Sequence, residues 1–191
     1  MSQRMEQSGR AIGWRAAAWT VVIAIVLLIP LIAMQFTEEV AWDTFDFVAA
    51  GVMLGGAALT YELASRKAAS VAYRGGVGVG VAAAFLLVWV TGAVGIIGPE
   101  TEDANMMYAG VLAIGFVGAF VSCFQARGMA RTLFAMAGAQ VLIAVIAIRA
   151  GWGVTDPLWP LDLIGATSFF TALWLLSAWL FRKAARDSVD A

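Results

Sequence analysis

The sequence has no histidine, one cysteine and two lysines among its 191 residues. Each scarcity removes a class of chemistry. Without histidine there is no His-ligated haem, no His-bearing zinc or di-iron site, and no triad or proton relay built on imidazole. The single Cys123 can form neither an internal disulfide nor a cysteine-rich metal site. Within its hydrophobic stretch it reads as a small buried apolar residue. Lys67 and Lys183 both flank apolar runs, which leaves no mid-membrane lysine for a Schiff base. Charged residues make up 13% of the chain and the net charge is −1, so there is no basic field for nucleic acid. No cofactor, no metal and no nucleic-acid partner is expected.

Apolar surface is what the chain has in excess. Sixty-two per cent of residues are hydrophobic and the mean hydropathy is +0.85. An ordinary soluble domain is about 45–50% apolar and about 25% charged. A water-soluble fold of this size could not hide the difference. The composition therefore predicts an all-α membrane protein, with the lipid bilayer as its solvent. A span needs about 20 mostly apolar residues to cross a hydrocarbon core of about 30 Å. Six such runs occur, at roughly 16–36, 45–65, 75–98, 104–125, 131–150 and 158–181. They predict a six-helix bundle over 16–182, between a short N-terminal segment (1–15) and a tail (183–191). No room remains for a soluble domain. Pro30 predicts a kink or local unwinding in the first span. That span is too long for a signal-peptide core, and no A-x-A site follows it.

Charge is sorted by side. Arg4, Arg10, Arg15, Arg66, Lys67, Arg74, Arg127, Arg131, Arg182, Lys183 and Arg186 fall at one end of the spans, and only Arg149 at the other. Nine of the 13 acidic residues cluster at the Arg149 end. By the positive-inside rule both termini are expected in the cytoplasm. The spacing also hints at repetition. Arg15, Arg74 and Arg131 open alternate spans at separations of 59 and 57 residues, and Asp46, Asn105 and Asp162 open the others at the same separations. Three repeated helical hairpins would produce this pattern. So would similar span lengths with arginine at cytoplasmic ends and Asp or Asn as helix caps.

A few polar residues are candidates for ion or ligand contacts. Asp43 and Asp46 lie three apart, so a helix would place them on one face. The pair could bind a cation or carry a proton, or one could cap the helix while the other faces water. Asp162 resembles a capped helix start. Arg149 is expected to pair with Asp156, Asp162 or another outer carboxylate, which would offset the cost of a charge near the membrane. Glu62 precedes Arg66 by four residues, the spacing of a helix-surface ion pair, and as an intramembrane acid it is also a functional candidate. Gln140 is the deepest strongly polar side chain. The acidic loop Glu100, Glu102 and Asp103 lacks the spacing of a calcium-binding hand.

Small residues form a second pattern. Gly51 with Gly55, and Gly76 with Gly80, are GxxxG pairs, while Gly92, Gly95 and Gly98 recur at threes. Such faces let membrane helices approach closely. They predict packing among helices two, three and four, or less directly a homo-oligomer contact. The glycine run from Gly75 to Gly80 follows no strand and so fails the context of a phosphate-binding loop.

The stretch from Leu87 to Glu100, with Asp103 to Tyr108 and Arg127 to Arg131, resembles small multi-pass bacterial inner-membrane proteins without an assigned function. The resemblance implies a compact bundle in the cytoplasmic membrane and carries over no activity. The residue inventory itself points to a non-catalytic integral membrane protein. It would bind a lipid or other apolar molecule, or serve as an accessory subunit beside a membrane-complex partner. The alternative is a small transporter or channel using the outer Asp and Arg residues.

Overall fold

In hydrocarbon no water can satisfy a backbone N–H or C=O, so a segment crossing it must bond internally, as a helix does. The computed structural model describes residues 2–37, 41–66, 70–154 and 157–187, with side chains from Gly13 onward. Among them, regular structure is entirely helical: α1 (Ser2–Ala33), α2 (Thr44–Ser65), α3 (Val71–Ala93), a 3-10 turn (Asp103–Met106), α4 (Met107–Val121), α5 (Ala126–Ala150) and α6 (Leu161–Asp187). Six helical segments are long and apolar enough to cross a membrane. The chain is thus an all-α, multi-pass membrane protein, as its composition requires.

The helix ends differ from the hydropathy limits in instructive ways. The third span stops at Ala93 rather than 98. Residues 94–98 are apolar but form a loop, with Gly95 and Gly98 in the left-handed region at φ +82° and +63°. A Cβ on Gly95 would strike the Gly98 carbonyl oxygen. Gly95 is therefore a turn glycine and not the helix-packing residue its spacing implied. Conversely, α5 begins five residues before 131 and α6 runs past 181, because arginines can sit on a helix end while their heads reach toward water. Pro30 lies in the last turn of α1, which ends three residues later at Ala33.

The chain divides into two compact units, one through Leu59 and one from Thr60 onward. In the first, a Cβ on Gly51 would lie 3.9 Å from Leu27 Cδ1, an ordinary contact between α2 and α1. Gly55 has no neighbour within 4 Å of its would-be Cβ among the described residues, so it packs nothing there.

In the second unit, α5 and α6 form the most extensive helix pair. The reason is complementary size. The buried face of α5 is rich in alanine (Ala130, Ala137, Ala144 and Ala147), while α6 buries Phe170, Trp174 and Phe181. With little hydrophobic driving force between helices in lipid, such close van der Waals fit holds them together. α3 packs antiparallel on the next face of α6: Gly76 lies against Phe181 and Gly80 against Ser177. The Ser177 hydroxyl donates to the Gly76 carbonyl at 2.7 Å. α4 packs antiparallel on α5 through Gly115 at Met136 and Gly118 at Thr132. α3 and α4, though consecutive, touch little. The expected association of helices two, three and four through Gly76 and Gly80 is thereby corrected: their partner is α6. Gly92 has no neighbour within 4 Å of its would-be Cβ among the described residues and so packs nothing there.

One buried side chain organises the α3–α4 loop. Asn105, 4% exposed, accepts from the N–H groups of Ile96 and Ile97 at 2.9 Å each through Oδ1. Its Nδ2 donates to the carbonyls of Ile97 at 3.3 Å and Pro99 at 2.9 Å. All four hydrogen-bonding positions of the amide are used. The loop in turn meets the α5–α6 connection, where Gly98 and Gly153 are in backbone contact. The three Asx positions of the apparent repeat thus do different work, because Asp46 and Asp162 serve helix starts.

Two outcomes follow for stability in detergent or lipid. Asn105→Ala leaves two buried N–H groups unpaired, at roughly 1–3 kcal/mol each. It should lower the thermal midpoint and speed amide exchange at Ile96 and Ile97, with unchanged exchange contradicting the lock. Gly76→Ala forces a Cβ to 2.9 Å from the Phe181 ring and should cost about 1–3 kcal/mol. Gly92→Ala should be neutral or stabilising by up to about 1 kcal/mol. Equal melting shifts for the two glycine variants would refute the α3–α6 contact.

Candidate functional site

The polar candidates resolve mostly into helix ends. Asp43 precedes the first residue of α2, and its N–H donates to Asp46 Oδ2 at 2.9 Å, while the Asp46 N–H donates to Asp43 Oδ1 at 3.0 Å. This is a reciprocal capping box with two carboxylates, and negative charge at a helix N-terminus also suits its dipole. The pair is brought together, but in order to start α2. Asp162, in the first turn of α6, accepts the Leu163 N–H at 2.7 Å. Glu62 meets Arg66 at 3.8 Å, the i,i+4 pair its spacing predicts. Arg149 is exposed at the end of α5. Among the described residues it forms no ion pair, so the expected pairing with Asp162 is absent, and Asp156, another expected partner, lies outside them. Glu38, Glu39 and Lys67 also lie outside the described residues. Among the described residues no cluster of three metal-ligating side chains occurs.

Cys123 departs from its expected burial: it is exposed in the α4–α5 turn. Both it and Phe124 take left-handed φ values, +47° and +59°. This conformation costs a non-glycine residue energy and needs support from its surroundings. Part of that support is Tyr73 of α3, whose hydroxyl donates to the Phe124 carbonyl at 2.7 Å across 51 residues of chain.

Gln140 is fully buried on α5, and neither amide atom has a hydrogen-bond partner among the described residues. The Tyr108 hydroxyl, on α4, faces Thr167 of α6. Thr167, Thr171 and Trp174 recur at i, i+4 and i+7 and so share one face of α6. These groups put moderate polarity inside a core that is otherwise aliphatic and aromatic.

A concavity follows from the packing order. α3 leans on α6 and α4 leans on α5, which leaves a cleft of about 770 Å³ between α3 and α4. Its walls are Val77, Val81 and Ala84 of α3 with Leu112, Phe116 and Phe120 of α4. Leu133 and Met136 of α5, and Trp174 and Phe181 of α6, form its back. The last turns of α2 contribute Thr60, Leu63 and Ala64. Of the hydroxyls at the cleft, those of Ser177 and Tyr73 are turned to backbone carbonyls, and the surface left is mostly apolar. Phe116 and Phe120 are 67% and 58% exposed, which marks the side on which the cleft opens. The cleft occupies the half of this unit where α3 and α5 begin and α4 and α6 end. None of Asp43, Asp46, Gln140, Arg149 or Asp162 lines it. No protein family, curated protein or solved structure matches the chain.

A buried amide without a partner is destabilising, and an apolar replacement of similar shape removes that cost. Gln140→Met should therefore leave stability unchanged or raise it by up to about 2 kcal/mol. Denaturant titration in micelles would check this. A loss of about 2 kcal/mol or more would show that Gln140 makes hydrogen bonds essential to the bundle.

Proposed function

We propose that the protein is a non-catalytic membrane bundle that holds a lipid acyl chain, or an apolar molecule of similar shape, in the cleft between α3 and α4. The observation that carries this reading is the cleft itself: about 770 Å³, with apolar walls and exposed phenylalanines at its opening. Its size falls within the roughly 300–1,000 Å³ of small-ligand pockets. In a bilayer the occupant gains little from the hydrophobic effect, because the surrounding lipid is equally apolar. Selectivity then rests on shape and on contact with the aromatic side chains. A dissolved tail held this way exchanges with bulk lipid instead of being sealed in.

The arginine bias supports a bacterial cytoplasmic membrane setting with both termini in the cytoplasm. In that orientation the cleft faces the cytoplasmic leaflet, since α3 opens beside Arg66 and Arg74.

Filling the cleft tests the proposal. Ala84→Trp and Ala119→Trp place an indole against its walls, and Ala113→Trp, on the exposed and non-lining side of α4, is the control. Native mass spectrometry of protein released from nanodiscs should show a retained lipid for the wild type and the control. Retention should fall several-fold for the two filling variants. Equal retention by all four proteins, or none by the wild type, would overturn the reading.

A further inference from the structure

A second concavity, of about 410 Å³, lies at the end of the α5–α6 pair and is lined by Arg127, Arg131, Arg182 and Arg186, with Ala130, Ala185 and Phe134. We infer that it binds a phosphate oxyanion, in the form of an anionic phospholipid headgroup or a soluble phosphate ester. The site is separate from the cleft and does not rest on the acyl-chain reading. At 100° per residue, Arg127, Arg131 and Phe134 lie on one side of α5, and Met129, Thr132 and Met136 of the cleft lie on the other.

The geometry builds from two antiparallel helices. Arg127 and Arg131 are one turn apart at the start of α5, and Arg182 and Arg186 are one turn apart at the end of α6. Buried Ala130 and Ala185 form the floor; larger side chains there would fill the space. Arg182 is fixed over the Phe134 ring, its Cζ 5.8 Å from the centroid, a cation–π arrangement. Among the described residues none of the four guanidiniums forms an ion pair, and the Glu62–Arg66 contact lies elsewhere. The helix dipole favours Arg182 and Arg186 at the end of α6 but disfavours Arg127 and Arg131 at the start of α5. Four like charges lining one concavity, two of them against the local dipole, are balanced by an anion. Arginine suits phosphate because its planar fork donates two parallel hydrogen bonds. The site lies where an apolar span begins, at headgroup depth, and exposed Phe134 is one turn deeper, level with the first part of an acyl chain. Basic pockets between membrane helices take anionic headgroups in this way.

The full chain in nanodiscs tests the inference. Phosphatidylglycerol and phosphatidylcholine are offered together, and retained lipid is read by native mass spectrometry. Inorganic phosphate is added separately to protein in pure phosphatidylcholine, with thermal midpoint as the readout. Wild type should retain phosphatidylglycerol preferentially. The R131Q/R182Q variant should lose that preference by roughly thirtyfold, about 2 kcal/mol, while R15Q/R66Q, with the same charge change, should keep it. Preference for phosphatidylglycerol without stabilisation by phosphate assigns the site to a headgroup. Stabilisation by phosphate that disappears in R131Q/R182Q assigns it to a soluble phosphate ester. Absence of both responses in the wild type, equal responses from R131Q/R182Q, or an equal loss in R15Q/R66Q would overturn the inference. Monodisperse elution and helical circular dichroism of each variant exclude misfolding as the cause.

Discussion

The antiparallel register of α3 on α6, with Gly76 at Phe181 and Gly80 at Ser177, governs the architecture of the second unit. It places α6 between α3 and α5 and so keeps α3 away from α4, its neighbour in the chain. The cleft is a consequence of that choice. Had the glycines of α3 met α4, the same residues would have closed the space instead. The contact is built from a ring against a bare backbone and a hydroxyl donating to a carbonyl. In lipid, where apolar side chains gain little by leaving solvent, such close fit decides which helices pair.

The ends of the bundle are held by different means. At one end Asn105 uses its whole amide to fix the Ile96–Pro99 backbone, and Gly98 of that loop meets Gly153. At the other, Tyr73 ties the start of α3 to the left-handed Phe124. Both ties span the mouth of the same helix pair, α3 and α4. They allow two helices that barely touch along their length to keep a fixed separation. The cleft lies at the Tyr73 end, whose tie residues Tyr73 and Phe124 are themselves part of its lining.

Class and span number were legible because hydropathy reports directly on the solvent a segment faces. The ion pair of Glu62 with Arg66 was legible because a helix fixes i,i+4 neighbours whatever surrounds it. Partner choice was not. The GxxxG spacing of Gly76 and Gly80 announces a close approach without naming the helix that approaches. Ile96 and Ile97 raised the hydropathy of a loop and made it read as the end of a span, although Gly95 and Gly98 carried the contrary signal. Asn105 looked like a third cap because its spacing matches Asp46 and Asp162. Its two additional donors, which a carboxylate lacks, are what distinguish its role. The cleft and the arginine pocket are each assembled from side chains on different helices, and no local pattern could place them. Asp43 and Asp46 were legible as a pair, and their mutual capping accounts for the spacing.

A crystal structure of the full chain grown from a lipidic phase tests the central claim most directly. The account predicts tail-shaped density between α3 and α4, in contact with Phe116, Phe120 and Trp174. Direct packing of α3 on α4, or a hydrated passage reaching both faces of the bundle, would contradict it.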